Sequence, residues 1–217
     1  MSVPRRVAGP DGPVGKAETV LAAAERAFLA GGFGAVTMDA VAREAGVSKA
    51  TVYAHFHGKE ELFGAVVAHV SKRRFGGFSV EALDPVDIEK SLTTIASRFL
   101  DLVLSPEAIA VNRIIIGEVT RFPALGQVFW AAGPDRTRAQ IEAFMRRAAA
   151  AGSLQISDAR LAAEQFAALA RGELHYRSLS RYEGPTDPAA LAAAAANAVA
   201  TFLRAFAPKA PPSVVNS

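Results

Sequence analysis

The stretch from Val36 to Phe63 constrains the fold more than any other part of the chain. Thr37 is a good helix N-cap, and Asp39 follows in the first turn, where the helix dipole favours negative charge. Val36 and Val41 occupy the hydrophobic-staple positions around that cap. Gly46 supplies the left-handed residue of a tight turn. Ser48 then caps a second helix, with Val47 and Val52 repeating the staple. Two short helices joined by a tight glycine turn make a helix-turn-helix.

The second of these helices is predicted to bury Val52 and Phe56 and to turn Lys49, Ala50, Tyr53 and Ala54 outward. Small residues with polar tips make a slim face that fits a DNA major groove. Lys49 and Lys59 both fall at the first position of a helix, where a cation opposes the dipole. Either both are solvated lysines whose small cost is tolerated, or an anion such as phosphate joins them in the working state.

The rest reads as helix. Ala, Leu, Glu and Arg dominate, and strand-like alternation is scarce. Punctuation predicts ten helices, at 16–30, 38–45, 49–55, 59–75, 88–102, from Ser105-Pro106, and at 123–131, 134–151, 157–180 and 188–206. Ile88, Leu92, Ile95, Phe99 and Leu102 form an amphipathic stripe. Ile114, Ile115 and Ile116 make their helix apolar all round, which predicts a central position. The all-α chain is expected to divide into a flexible arm (1–15), a helix-turn-helix domain (16–60), a connecting helix and loop (61–84), a ligand-binding and dimerisation domain (85–207) and a flexible tail (208–217).

Composition excludes several classes. Hydrophobic residues make up 51% of 217, enough for a sizeable core. With no cysteine and four histidines, neither a disulfide framework nor a structural zinc is expected. No nucleophile–base pair, phosphate loop or metal spacing stands out, so no enzyme activity, metal or cofactor is expected. The net charge of +3 is too small to argue for nucleic acid alone. No signal peptide or uninterrupted apolar span of membrane length is read, and the expectation is a cytoplasmic protein without a membrane partner.

The block from Thr37 to Phe63 resembles the DNA-binding domain of the TetR family. The matching motifs are Ala45-Gly46-Val47-Ser48, Thr51-Val52-Tyr53, His55-Phe56 and Lys59-Glu60-Glu61-Leu62, with Ala27-Phe28 and Gly31-Gly32-Phe33 before them. Gly58 departs from the pattern, which more often has Asn or Ser there. The resemblance implies that Thr37, Tyr53, His55 and Lys59 hold phosphates of a double-stranded operator, and that Ser48, Lys49, Ala50 and Thr51 meet bases or nearby phosphates. For Tyr53 a packing aromatic, and for His55 a helix C-terminal cap, stand as alternatives. Arg5 and Arg6 are read either as a minor-groove arm or as a solvated tail.

The segment Arg113–Trp130 is similar to one subgroup of TetR-type C-terminal domains, that of regulators near multidrug-efflux and quorum-related genes. The subgroup says little about the ligand; a domain that buries a wide apolar surface and leaves a pocket is expected to take a small apolar effector. Candidate wall residues are Phe99, Ile115, Phe122, Phe129, Trp130, Phe144, Phe166 and Leu169, against plain core. Asn112, Glu118, His175 and Tyr176 are polar groups within apolar helices; buried polar groups need partners, and Glu118 has Arg121 or Arg98 as alternatives to a ligand. A homodimer is expected, since one recognition helix reads a half-site. Helices 134–151 and 158–180, with Ala148, Ala149, Ala163, Ala167 and Ala170, are its candidate interface. The competing reading is a small-molecule-binding protein that has lost operator recognition.

Overall fold

The computed structural model describes residues 13–76, 79–181 and 187–208. Most of the expected arm, with Arg5 and Arg6, and the tail after Pro208 lie outside the described residues. Ten α-helices and one 3-10 turn make up the regular structure of the described residues. They are α1 (Pro13–Ala35), α2 (Met38–Ala45), α3 (Lys49–His55), α4 (Lys59–Arg74), the turn Val80–Ala82, α5 (Ile88–Val103), α6 (Pro106–Glu118), α7 (Ala124–Ala132), α8 (Pro134–Ala150), α9 (Ala159–Leu179) and α10 (Pro188–Phe206).

The chain forms two compact units that do not follow chain order. The first combines residues up to Val70 with Pro106–Pro134, and the second combines Ser71–Ser105 with Asp135 onward. The expected boundary near residue 85 therefore differs from the grouping by compactness. The reason lies in the core of the first unit. Val111 and Leu125, from α6 and α7, are buried with Val20, Phe28, Phe33, Val41, Val52 and Phe63. Phe33 is the hub: its ring meets Phe28, Phe63 and Phe122 at centroid distances of 5.9, 5.5 and 5.1 Å. The Phe28 pair is stacked and the other two are edge-to-face, and such pairs add to what burial alone supplies.

Helix ends in this unit follow local chemistry. The Thr37 hydroxyl accepts from the Ala40 amide at 3.1 Å, and Gly46 adopts φ 66°, ψ 28°. Gly46 N–H then donates to Arg43 and Val47 N–H to Ala42, a Schellman ending that satisfies two orphan carbonyls. Gly32, at φ 77°, ψ 174°, breaks α1 near the expected end, although helical residues resume to Ala35.

In the second unit α5, α9 and α10 pack on one another. Of the expected α5 stripe, Leu92, Ile95, Phe99 and Leu102 are buried, and Ile88 at its start is half-buried. Phe166 is fully buried and meets Phe202 edge-on at 5.1 Å. Arg147 of α8 fastens the segment after α4 by donating to the carbonyls of Val80 and Leu83, at 3.0 and 2.8 Å. Helix α9 is not the uninterrupted helix expected. Gly172 (φ 48°, ψ −147°) kinks it, a backbone state that L side chains rarely adopt. Its cap is Asp158, whose carboxylate accepts from the Leu161 amide, rather than Ser157.

The isoleucine triplet is not central. Ile114 and Ile115 are half-buried and Ile116 is 64% exposed, so only one side of α6 is covered. Ala148, Ala163 and Ala170 are already buried within the chain. Helix α10 is long and apolar enough to cross a membrane. It buries one face through Ala195, Ala198, Val199 and Phe202, and leaves Ala192, Ala193, Ala196 and Ala200 exposed.

Candidate nucleic-acid interface

Helix α3 is held by its inner side. Val52 is fully buried, whereas Lys49, Ala50, Tyr53 and Ala54 are exposed, which is the two-sidedness expected of it. Ser48 starts the helix: its hydroxyl accepts from the Thr51 amide at 3.1 Å and lies 2.8 Å from the Thr51 hydroxyl. Ser48 and Thr51 are thus already partnered with each other. Tyr53 is 43% exposed, so its ring is not a core aromatic. His55 is half-buried beside Phe56, and the amide that closes α3 is that of Phe56, donating to Val52.

The lysines differ from each other. Lys49 is exposed and pairs with Asp39 of α2 at 2.8 Å, while its ammonium lies 5.9 Å from the Tyr53 ring centre. The Asp39 hydrogen bond, and then its charge, raise the Lys49 pKa, so the side chain stays cationic. This pairing offsets the unfavourable dipole at the start of α3. Sequence reasoning missed the partner, although Asp39 and Lys49 flank the turn. Lys59 is half-buried and points back to the end of α1. Its Nζ donates to the Phe33 carbonyl at 2.8 Å and lies 4.3 Å from the Phe33 ring centre. It also reaches the Gly34 carbonyl at 3.5 Å, which leaves the third N–H as a donor for a phosphate.

Gly58 lacks a side chain to cap α4; the local bond here is made by Glu61, which reaches back from the third helical position to the residue before Gly58. Its carboxylate accepts from the His57 amide at 2.7 Å and stands 2.9 Å from His57 Nδ1. Those two bonds hold the Glu61 pKa below the usual carboxylate value.

The residues expected to bind an effector divide between the compact units. In the first, Asn112 donates to the Ala108 carbonyl of its own helix at 2.9 Å. Ile115 and Phe122 are half-buried against the core, and Trp130 is 53% exposed. Glu118 pairs with neither Arg121 nor Arg98. Its two oxygens accept from the amides of Phe33 and Gly34, each at 2.6 Å, so its partners are backbone. In the second unit Phe99, Phe144 and Phe166 are buried core, while Tyr176 is 72% exposed. A groove of about 340 Å³ opens between α9 and α10 at the Gly172 kink, lined by Leu169, Arg177, Asn197 and Thr201 among others. Of the expected wall residues only Leu169 reaches it. Burial pushes the His175 pKa below the usual histidine value, with the Arg171 charge as a second cause.

Comparison with known proteins agrees with this architecture. Residues 20–66 match the family model of bacterial regulatory proteins, tetR family, and residues 90–208 match that of the C-terminal domain of AefR-like transcriptional repressors. The HTH-type transcriptional regulator SrpR of Pseudomonas putida is 30% identical over 140 residues, 64% of this chain and 64% of SrpR. The match thus spans just under two thirds of that relative's length. A solved TetR-family structure from Mesorhizobium loti MAFF303099 superposes with a TM-score of 0.77 at 26% identity, covering 90% of this chain and 98% of that one. The flavonoid-responsive regulator FrrA superposes with a TM-score of 0.73 at 34% identity, with the same coverage. With residues 20–66 and 90–208 both matched, this chain belongs to the TetR family of bacterial transcriptional regulators, DNA-binding proteins rather than enzymes.

Proposed function

We propose that the protein is a cytoplasmic, ligand-responsive repressor that binds a palindromic operator as a homodimer and is released by a small apolar effector. The observation that carries this reading is the solvent-facing side of α3. Lys49, Ala50 and Tyr53 stand outward on a helix fixed by its buried Val52 and its cap at Ser48, directly after an α2 capped at Thr37 and Gly46. Thr37, Ser48, Lys49, Ala50, Thr51, Tyr53, His55 and Lys59 are the proposed DNA contacts. Lys59, Thr37 and Tyr53 hold phosphates, Lys49 meets a base edge or a nearby phosphate, and Ala50 meets a base edge.

A dimer would set two α3 helices about 34–36 Å apart, in successive major grooves. The surface that supports dimerisation is the exposed apolar side of α9 and α10, with Leu161, Leu169, Tyr176 and the outward alanines of α10. This moves the proposed interface from α8 and α9 to α9 and α10, because Ala148, Ala163 and Ala170 are buried inside the chain and the exposed apolar side chains lie on α9 and α10. The segment 85–207 remains the proposed effector and dimerisation region. Its relative FrrA is named for its response to flavonoids, so flat aromatic compounds are the first effector class to test. An effector releases the operator only to the extent that it binds the non-operator state more tightly.

The test is selection of duplexes from random sequence by the purified protein at two salt concentrations. An enriched palindrome with steep salt dependence is expected. No enrichment, together with effector binding, would favour a binding protein without operator recognition.

A further inference from the structure

The carboxylate of Glu118 closes the C-terminal end of α6 onto the break in α1. Its oxygens accept from Phe33 N–H and Gly34 N–H, both at 2.6 Å. The peptide group between Phe33 and Gly34 is held at both ends: its N–H by Glu118 and its carbonyl by the Lys59 ammonium at 2.8 Å. A negative group on the N–H side and a positive group on the carbonyl side polarise one amide in the same sense, so each bond strengthens the other. Two glycines make room for the carboxylate. A Cβ at Gly32 would lie 2.6 Å from Glu118 Oε1, and one at Gly34 would lie 2.8 Å from Oε2. Gly32 also takes φ +77°, a backbone state that L side chains rarely adopt.

We infer that Glu118 is a positioning residue for DNA binding, acting through the 33–34 peptide on Lys59 and on the join between α1 and α2. The inference rests on the operator-binding reading above. The last residue of α6 and the first of α4 meet on one amide. A displacement of the α6 end that withdraws the carboxylate therefore loosens the Lys59 anchor and the entry to the helix-turn-helix together. An effector that moves the end of α6 would alter operator affinity by this route.

The test uses the full-length protein and the variants Glu118→Gln, Glu118→Ala, Gly34→Ala, Lys59→Met and the Glu118→Ala doubles with Gly34→Ala and with Lys59→Met. Two readouts are measured: hydrogen exchange at the Phe33 and Gly34 amides, and affinity for a duplex enriched by the wild-type protein. Both Glu118 variants should exchange the two amides at least about tenfold faster and lose about tenfold in duplex affinity, within the usual range of site coupling. Gly34→Ala should show a similar loss alone and none in the Glu118→Ala background, because the new methyl's other neighbours, Phe122 and Arg121, stand at 3.5 and 3.6 Å. The Lys59→Met and Glu118→Ala losses should overlap rather than add, which a merely structural role would not produce. Unchanged amide exchange in Glu118→Ala overturns the linkage, whatever the DNA result. Fast exchange with wild-type duplex affinity overturns the positioning role. Failure to enrich any duplex overturns the operator reading and the positioning role with it, while exchange still reports the linkage separately.

Discussion

Replacing Asp39 by Asn keeps the shape of the first turn of α2 and removes the carboxylate that sits 2.8 Å from the Lys49 ammonium. Both side chains are more than half exposed, so the pair itself contributes little to stability. Its weight falls on DNA binding, because an acidic group stands beside the cation that would meet a phosphate. A lysine freed for one phosphate contact steepens the fall of log affinity with log salt by about 0.9. Taking about 1 M salt as the point where such contacts vanish, one added contact is worth about fifteenfold at 50 mM and about fourfold at 200 mM. Asp39→Asn should therefore tighten binding to random-sequence duplex by up to those factors. Lys49→Ala should move affinity and slope the other way, and the double variant should return near the wild-type slope. Fluorescence anisotropy of a labelled random duplex across that salt range measures all four proteins. If Asp39→Asn leaves both affinity and slope unchanged, the α2–α3 face is not the surface that meets phosphate, and the reasoning fails.

Three other perturbations have signs set by the structure. Gly64→Ala gains about 1 kcal/mol of helix propensity within α4, but its Cβ would lie 2.9 Å from Val128 Cγ1, an overlap costing about 1–3 kcal/mol; the variant should lower Tm in the wild type and raise it in a Val128→Ala background, and a lower Tm in both would refute the steric account. His175 has a depressed folded pKa, so the unfolded chain takes up its proton first: this contribution is present above about pH 6.5 and is lost as pH falls through the folded value. His175→Gln should accordingly lose less Tm than the wild type between about pH 7.5 and 5.5, and equal losses would contradict the assignment. Leu169→Glu places a charge on an exposed apolar side of α9, and should shift the protein to monomer in sedimentation; an unchanged dimer would move the interface elsewhere.

The elements that could be read from sequence are those whose ends are encoded by adjacent residues. Thr37, Gly46, Ser48 and Asp187-Pro188 each do their capping within four positions, so α2, α3 and α10 start or end where local chemistry puts them. The outward side of α3 follows from period alone, once Val52 is taken as buried. Glu118 shows the opposite case. Its partners are amides 84 and 85 positions away, and an amide carries no side-chain signature. The only local hint was the glycine-rich run from Gly31 to Gly34, which serves as a helix stop and as a carboxylate seat at once. The kink at Gly172 was hidden because the flanking residues are strong helix formers, and the isoleucine triplet misled because apolar composition does not say which side of a helix a neighbour covers. Trp130 as a wall aromatic and Tyr176 as a polar group within an apolar helix both turn out exposed, because exposure depends on packing that residue type does not encode.

The discontinuous make-up of the first compact unit has a consequence for synthesis. Its core needs Val111 and Leu125, so the three N-terminal helices finish their packing only after residues up to about Pro134 have emerged. At about 5–20 residues per second, a ribosome takes several seconds to travel from Val70 to that point. During that interval Phe33 lacks the Phe122 ring that later meets it, and the Phe33 and Gly34 amides have yet to meet Glu118. The nascent reading head therefore waits as an adhesive apolar surface, and a fragment cut near Val70 would inherit that stickiness in place of an independent domain.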